Sequence, residues 1–261
     1  MRGSETIRPK STLNPTMHFI FELIAVIRRT LLGSSVARFW HRFAPSFKVG
    51  KTVFGLTMYF DFRDNAVWWA RSADKIERDE KVFDFLTSFK GTVWDVGSNV
   101  GIISLRGASL GHRVIAFDIS RKALALLEAS ARKNRLNITT VQRAFSTRSF
   151  SYDSPTSSDT ENAIRESAAG KERSITFMEA ARQFPLPDLL KMDIEGGENE
   201  FIESEEFKQW ILENHITWVV EFHSPDFKAK LWKDSRFVQV DAAHFALNLD
   251  RIAPTQGAEK A

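Results

Sequence analysis

From Thr92 to Phe222 the chain repeats one unit: a short apolar run, a turn rich in glycine or acid, then apolar residues at helical spacing. The runs Thr92 to Val96, Arg113 to Phe117, Thr139 to Gln142, Asp188 to Asp193 and Thr217 to Phe222 predict strands, and the apolar centres of most of them fit a sheet buried on both faces. Between them, a helix begins at Ile102, and Arg121 to Arg135 places Leu124, Leu127 and Ala131 on one side of a second. Asn199 to Asn214 predicts a third. This βαβαβ order implies parallel strands joined by right-handed crossovers. The expected fold is α/β: a doubly wound, mostly parallel, Rossmann-like sheet.

Upstream, Phe47 to Phe62 alternates loosely around Gly50 and Gly55 and predicts a hairpin, and Asp74 to Phe89 has a helical pattern that stops at Gly91. The polar stretch Ser146 to Arg173 predicts a mobile loop or an elaborated hairpin at the ligand edge of the sheet. Order returns at Ser174 to Phe177, and periodicity is lost after Arg251. Three units follow: a basic, partly apolar helical extension over 1–50, a catalytic domain over 51–250 and a frayed tail over 251–261.

Charge sharpens the picture of the extension. Residues 1–50 hold eight basic and two acidic residues, a net of +6 in a chain whose total is +3, so the rest carries −3. The body therefore lacks the electrostatic footprint of a nucleic-acid binder, and no nucleic-acid partner is expected. Met17 to Ile27 is apolar apart from His18 and Glu22. That run is too short to span a bilayer and has no small-residue cleavage site, so neither a membrane span nor a secretory signal is expected. With Arg28, Arg29, Phe39 and Trp40 it reads as an amphipathic basic helix, which either packs on the body or makes peripheral contact with an anionic membrane through residues 17–43. Packing is the commoner fate of an aromatic stripe. The 43% hydrophobic content with 22 Phe and 7 Trp is globular, and the absence of cysteine removes disulfides, thiolate zinc sites and a cysteine nucleophile. A cytoplasmic location, with or without membrane association, fits; nothing in the pattern sets an oligomeric state.

The chemistry sits at strand ends. Asp95-x-Gly97-x-x-x-Gly101 joins the first core strand to its helix, where glycines let a ligand approach the backbone. Asp118 ends the next strand, where a carboxylate can accept from both hydroxyls of a ribose. Together they specify a nucleoside-containing cofactor. The Gly-x-x-x-Gly spacing differs from the dinucleotide pattern, and no phosphate-seeking Lys follows. A phosphate-free cofactor with an amino-acid tail fits best, Asp95 lying near the tail. A second set, Lys191-Met192-Asp193-Ile194-Glu195-Gly196-Gly197-Glu198, places three carboxylates after a buried strand. Glu198 reads equally as a helix N-terminal acid favouring the macrodipole. A third set, Glu221-Phe222-His223, is either a structural pair or part of the site. Asp193, Glu195 and His223 could converge on an ion, but no spacing asserts one, and no metal is expected.

At these residues the chain resembles the FkbM family of S-adenosylmethionine-dependent methyltransferases. The resemblance covers about Glu80 to His223 and rests on Val93 through Gly101, Val114 through Asp118, Ala131 through Asn134, Lys191 through Glu198 and Val220 through His223. Lys-x-Asp-x-Glu-Gly-x-Glu is its most specific part; the glycine turn belongs to class I methyltransferases generally. The resemblance implies S-adenosylmethionine as cofactor, held by Asp95, Gly97, Ser98, Asn99, Gly101, Asp118 and Ile119. It also implies O-methylation, commonly of hydroxyls on sugars or secondary metabolites, with Asp193 and Glu195 facing the transferred methyl. Three departures stand out: Asp118-Ile119 replaces Glu-Pro, Met178-Glu179 replaces Leu-Asp, and Ser98 follows the first glycine.

The expected reaction is methylation of a hydroxyl on a sugar, glycan or small metabolite, with Asp193, Glu195 and His223 as the catalytic candidates, Asp193 favoured for orientation and His223 for proton transfer. Two rivals share the fold. A silent cofactor-binding or scaffold protein would keep the glycines without a working site, and a nicotinamide-dependent oxidoreductase would need the pyrophosphate turn that is missing.

Overall fold

The computed structural model describes residues 43–65, 82–156, 164, 166–223, 225–241 and 243–249. The expected extension lies outside them except for its last residues, as do the first half of the 74–89 helix and the whole 251–261 tail.

The hairpin is β1 (Lys48–Val53) against β2 (Leu56–Asp61), antiparallel, turning at Phe54 and Gly55. After it come α1 (Val82–Ser88), β3 (Thr92–Val96), α2 (Ile102–Ser109), β4 (Arg113–Asp118), α3 (Arg121–Asn134) and β5 (Ile138–Gln142). From β3 to β5 these match the expected strand and helix positions to within a residue or two, and α1 is the described part of the helix expected over 74–89. Ser120 caps α3 by accepting from the Ala123 amide, and Arg135 closes it in the left-handed conformation.

The stretch expected to be a loop or hairpin is an elaborated hairpin at its base. Short β6 (Phe145–Ser146) and β9 (Ile175–Thr176) pair in parallel, and β7 (Ser151–Tyr152) pairs with β8 (Glu172–Arg173) antiparallel. Strand then passes at once into α4 (Phe177–Gln183), where Thr176 and Glu179 form a capping box. Next are β10 (Leu189–Met192), α5 (Glu198–Glu203), α6 (Glu205–Glu213) and β11 (Thr217–Glu221). The single helix expected over 199–214 is thus two, because Ser204 leaves helical geometry and accepts from the Phe207 amide to start the second. The described part of the domain ends with α7 (Pro225–Lys233), β12 (Phe237–Gln239) and β13 (His244–Leu247).

Seven strands form the main sheet in the order β12-β13-β11-β10-β3-β4-β5. β11, β10, β3, β4 and β5 run parallel, while β13 and β12 close one edge antiparallel. Alternation sends Val93, Leu189, Val219 and Ala246 to one face, against α1, α2 and the hairpin, and Trp94, Leu190, Trp218 and Phe245 to the other, against α4, α5 and α6. Both faces are therefore buried and the fold is doubly wound. The hairpin is tied to α3 by polar bonds as well: the Tyr59 amide donates to Ser130 Oγ and the Thr57 amide to Asn134 Oδ1, both at 2.9 Å. Among the described residues no helix is long and apolar enough to cross a membrane. The segment 17–43, where membrane contact was expected, lies outside them but for Phe43.

Candidate active site

Open α/β sheets bind ligands beyond the carboxyl ends of their parallel strands. A cavity lies there, over β3, β4 and β10. It is lined by Val96, Gly97, Phe117, Asp118, Ile119, Arg143, Ala144, Phe145, Phe150, Ile164, Glu166, Asp193, Ile194, Glu195, Gly197 and Glu200. Of the residues singled out in the sequence, Gly97, Asp118, Ile119, Asp193 and Glu195 meet in its wall. Asp95, Ser98, Asn99 and Gly101 stand behind or beside it, and His223 borders it through Asp193.

The glycine turn is shaped by contacts within the protein as much as by room for a ligand. Gly97 has φ +76°, and a Cβ on it would stand 1.7 Å from the Asp193 carbonyl oxygen. Its side-chain space is filled by the neighbouring strand end. Gly101 has φ +86°, and its Cβ would meet Leu127 Cδ1 at 2.2 Å, so this glycine serves the packing of α2 on α3. Asp118 braces the turn from the side. Its Oδ2 accepts from the Asn99 amide and its Oδ1 from the Ser120 amide, both at 2.7 Å. Burial pushes its carboxyl up to about 6, against the pull of those two amides. Asp95 is buried, accepts from Ser104 Oγ at 2.5 Å, and is pushed above the usual carboxylate range by desolvation. Asp95 Oδ1, Ser98 Oγ and Asn99 Oδ1 are buried with no hydrogen-bond partner. Three orphaned polar atoms around one turn suit a polar ligand.

The acidic turn after β10 forms a charged cluster. Asp193 Oδ2 accepts from Lys191 Nζ at 3.1 Å, and Oδ1 lies 3.0 Å from His223 Nε2. His223 Nδ1 is 3.5 Å from Glu195 Oε2, and Nε2 is 3.5 Å from Glu198 Oε1. Burial alone would raise the Asp193 carboxyl; Lys191 and His223 override it and hold the group well below the usual range. His223 is pushed up to about 10, first by its bond to Asp193 and then by Glu198. Asp193, Glu195 and His223 offer ligand atoms within 4.8 Å of one another, so these are the residues that could hold a metal ion. Lys191 also brings positive charge to the Asp193 carboxylate.

Glu221 belongs to another pair. It faces His244 across the β11–β13 register, with Oε2 3.5 Å from His244 Nε2, and Asp241 holds the other ring nitrogen at 2.9 Å. Burial works against charge on His244, but the bond to Asp241 wins and raises it to about 9. The third set is therefore divided, with His223 joining the acidic cluster and Glu221 facing the His244 ring in a structural pair.

Sequence reasoning missed Arg143, Phe150, Ile164, Glu166 and Glu200 as cavity residues. Their signal is weak, since most come from short irregular segments. Tyr152, fully buried, supplies the anchor: its hydroxyl accepts from the Ala144 amide at 3.0 Å and so fixes the hairpin beside the cavity. Arg148 and Glu166 pair across the hairpin's outer part.

The family model described as "Methyltransferase FkbM domain" matches residues 95–243, more than half of the chain. The chain belongs to the FkbM methyltransferase family. It is a methyltransferase, and S-adenosylmethionine is its methyl donor. No curated protein matches it. Among solved structures, it is similar to the C-terminal domain of precorrin-6Y C5,15-methyltransferase from Rhodobacter capsulatus, at 13% identity and TM-score 0.38 over 62% of this chain and 82% of that one. A SAM-dependent methyltransferase from Agrobacterium tumefaciens gives 12% and 0.43 over 72% of this chain and 57% of that one. An rRNA methylase from Streptococcus thermophilus gives 14% and 0.39 over 64% and 91%. Likeness at this level says nothing about the acceptor.

Proposed function

We propose that this methyltransferase acts on oxygen, transferring the methyl group to a hydroxyl of a sugar, a glycan or another small hydroxylated metabolite. The observation that carries the reading is the ion-paired cluster of Asp193, Glu195 and His223 at the cavity's edge. An alcohol must lose a proton as it attacks, so a site for it needs a proton acceptor near the methyl group. Transfer to an acceptor oxygen would break the donor's carbon–sulfur bond and leave S-adenosylhomocysteine as the second product. The hydroxyl proton would pass to a carboxylate of the cluster. His223, held protonated to about 10, enters at neutral pH as a hydrogen-bond donor, which shifts the acceptor role preferred for it in the sequence to the carboxylates. Asp193, held far below the usual range, is a weak base and orients the imidazolium. Glu195, on the cavity wall, is the proton acceptor in this reading.

The donor, when bound, supplies an electrophilic methyl on a sulfonium. Asp118 and Gly97 would hold its ribose end, with Ile119 as an apolar wall, and the orphaned oxygens of Asp95, Ser98 and Asn99 would meet the polar tail. Gly101 supports the turn through Leu127. No nucleic acid is included among the acceptors, given the net −3 of the chain beyond residue 50.

Calorimetry with S-adenosylhomocysteine and with NAD, followed by isotope-labelled methyl transfer to sugars, glycans and hydroxylated metabolites, tests this. S-adenosylhomocysteine should bind and NAD should not, and the product should carry an O-methyl group. An N- or C-methyl product would sink the oxygen assignment, and binding without transfer to any acceptor would favour a silent binder. A pH dependence follows from Asp118. Its ionised form accepts ribose hydroxyls, so S-adenosylhomocysteine affinity should fall as pH drops through about 6. Asp118→Asn should bind more weakly at neutral pH, by about 1 to 3 kcal/mol, and without that titration. A wild-type affinity flat from pH 7.5 to 5 would remove Asp118 from the ribose.

A further inference from the structure

Glu198 opens α5 and is fully buried, a rare place for a carboxylate unless its oxygens are satisfied. They are satisfied backwards along the chain. Oε1 accepts from the Ile194 amide at 2.5 Å and Oε2 from the Gly196 amide at 2.7 Å. Those two amides flank Glu195, whose φ of +54° is followed by +102° at Gly196. A non-glycine residue keeps such a backbone only where its surroundings enforce it. Oε1 also stands 3.5 Å from His223 Nε2. One side chain thus touches both the turn that carries Asp193 and Glu195 and the ring that they share. A helix-dipole role, the plain alternative for an acid at this place, asks for neither full burial nor bonds to a preceding turn.

We propose that Glu198 is the positioning residue of the methyl-transfer site: its carboxylate pins the 193–197 turn so that Asp193 and Glu195 both meet His223. This rests on the reading of those three residues as the site. The reach of the side chain, and not its charge alone, is the operative property. Glutamine keeps the reach but turns an NH2 group toward an amide N–H. Aspartate keeps the charge but is one methylene too short to hold both amides.

The test uses the full chain and Glu198→Gln and Glu198→Asp, each examined by NMR for amide exchange at Ile194 and Gly196 and for the His223 ring titration. His223→Gln assigns the ring signals, and calorimetry with S-adenosylhomocysteine monitors the cofactor cavity. Both variants should exchange the two amides about tenfold faster or more, the scale of one lost hydrogen bond. In both, the His223 midpoint should move down toward its ordinary value, while S-adenosylhomocysteine affinity stays within about threefold. A merely structural glutamate would leave the imidazole midpoint in place. Wild-type behaviour of Glu198→Asp, or unchanged exchange and titration in Glu198→Gln, overturns the proposal. Should neither variant fold, rapid exchange of Ile194 and Gly196 amides in the wild-type chain overturns it by itself, and slow exchange supports it. Failure of the wild type to bind S-adenosylhomocysteine would count against the functional reading, whereas the amide and imidazole signals judge Glu198 separately.

Discussion

Asp193→Asn should lower methyl transfer by about 10²-fold or more while S-adenosylhomocysteine affinity changes little. The carboxylate has two fixed obligations, Lys191 Nζ at Oδ2 and His223 Nε2 at Oδ1. Asparagine has the same outline but a single acceptor oxygen, so its NH2 group must face one of two cationic donors. His223 then loses its main partner and Lys191, almost buried, keeps a charge with less to offset it. The imidazolium is no longer oriented, and its midpoint falls from about 10 toward 6.5. A second consequence has a definite sign. A histidine whose folded-state midpoint is raised stabilises the fold below pH 6.5 and loses that contribution as pH rises through about 10. The wild type should therefore lose thermal stability across that window and the variant should show a shallower slope. Single-turnover transfer to a proven acceptor, calorimetry and melting at pH 7 and 10 check these together. Loss of S-adenosylhomocysteine binding along with activity would make Asp193 a donor ligand; unchanged turnover would leave positioning of donor and acceptor to account for the rate.

Gly97→Ala should be the most damaging single methyl addition in the glycine turn. The added carbon would sit 1.7 Å from a backbone carbonyl oxygen, that of Asp193, at a φ of +76°. A backbone atom cannot swing away as a side chain can, so β3 and β10 must part at their ends. Overpacking of this kind costs about 1 to 3 kcal/mol, and left-handed geometry for a residue with a Cβ adds about 1 to 2 kcal/mol. The distortion falls on both Asp118's partner Asn99 and the Asp193 turn, so donor binding should drop at least tenfold and transfer should be lost. Gly101→Ala meets the end of the Leu127 side chain instead and should cost less. Denaturant melts and calorimetry on the two variants give the ordering; a Gly101 variant as damaged as the Gly97 variant would show that α2–α3 packing controls the turn.

The core strands were legible because a parallel sheet covered on both faces writes itself as apolar runs ending in glycine or acid, as at Val93 to Gly97. Asp118 and Asp193 were legible for the same reason, since each falls at the end of such a run. What escaped was set by short-range or tertiary detail. Ser204 divides a helical pattern whose apolar positions Phe201, Ile202, Phe207 and Trp210 continue across the break. α4 hid in a seven-residue stretch announced only by its capping box, Thr176 with Glu179. β12 and β13 are three and four residues long, too short for periodicity to declare them. Phe150 and Glu166 reached the cavity through a hairpin whose register depends on Tyr152 meeting Ala144, a contact across eight positions that no local pattern encodes. The protonation of His223 could not be read at all, because Asp193 and Glu198 set it jointly against the opposing effect of burial.

Asp118 holds the Asn99 amide with one oxygen and the Ser120 amide with the other. The glycine turn and the N-cap of α3 are thereby locked to each other before any donor arrives, so little conformational entropy remains to be lost on association. For the donor site proposed at this turn, capture would depend on encounter and not on a folding step, and changes in the turn would alter affinity through the off-rate.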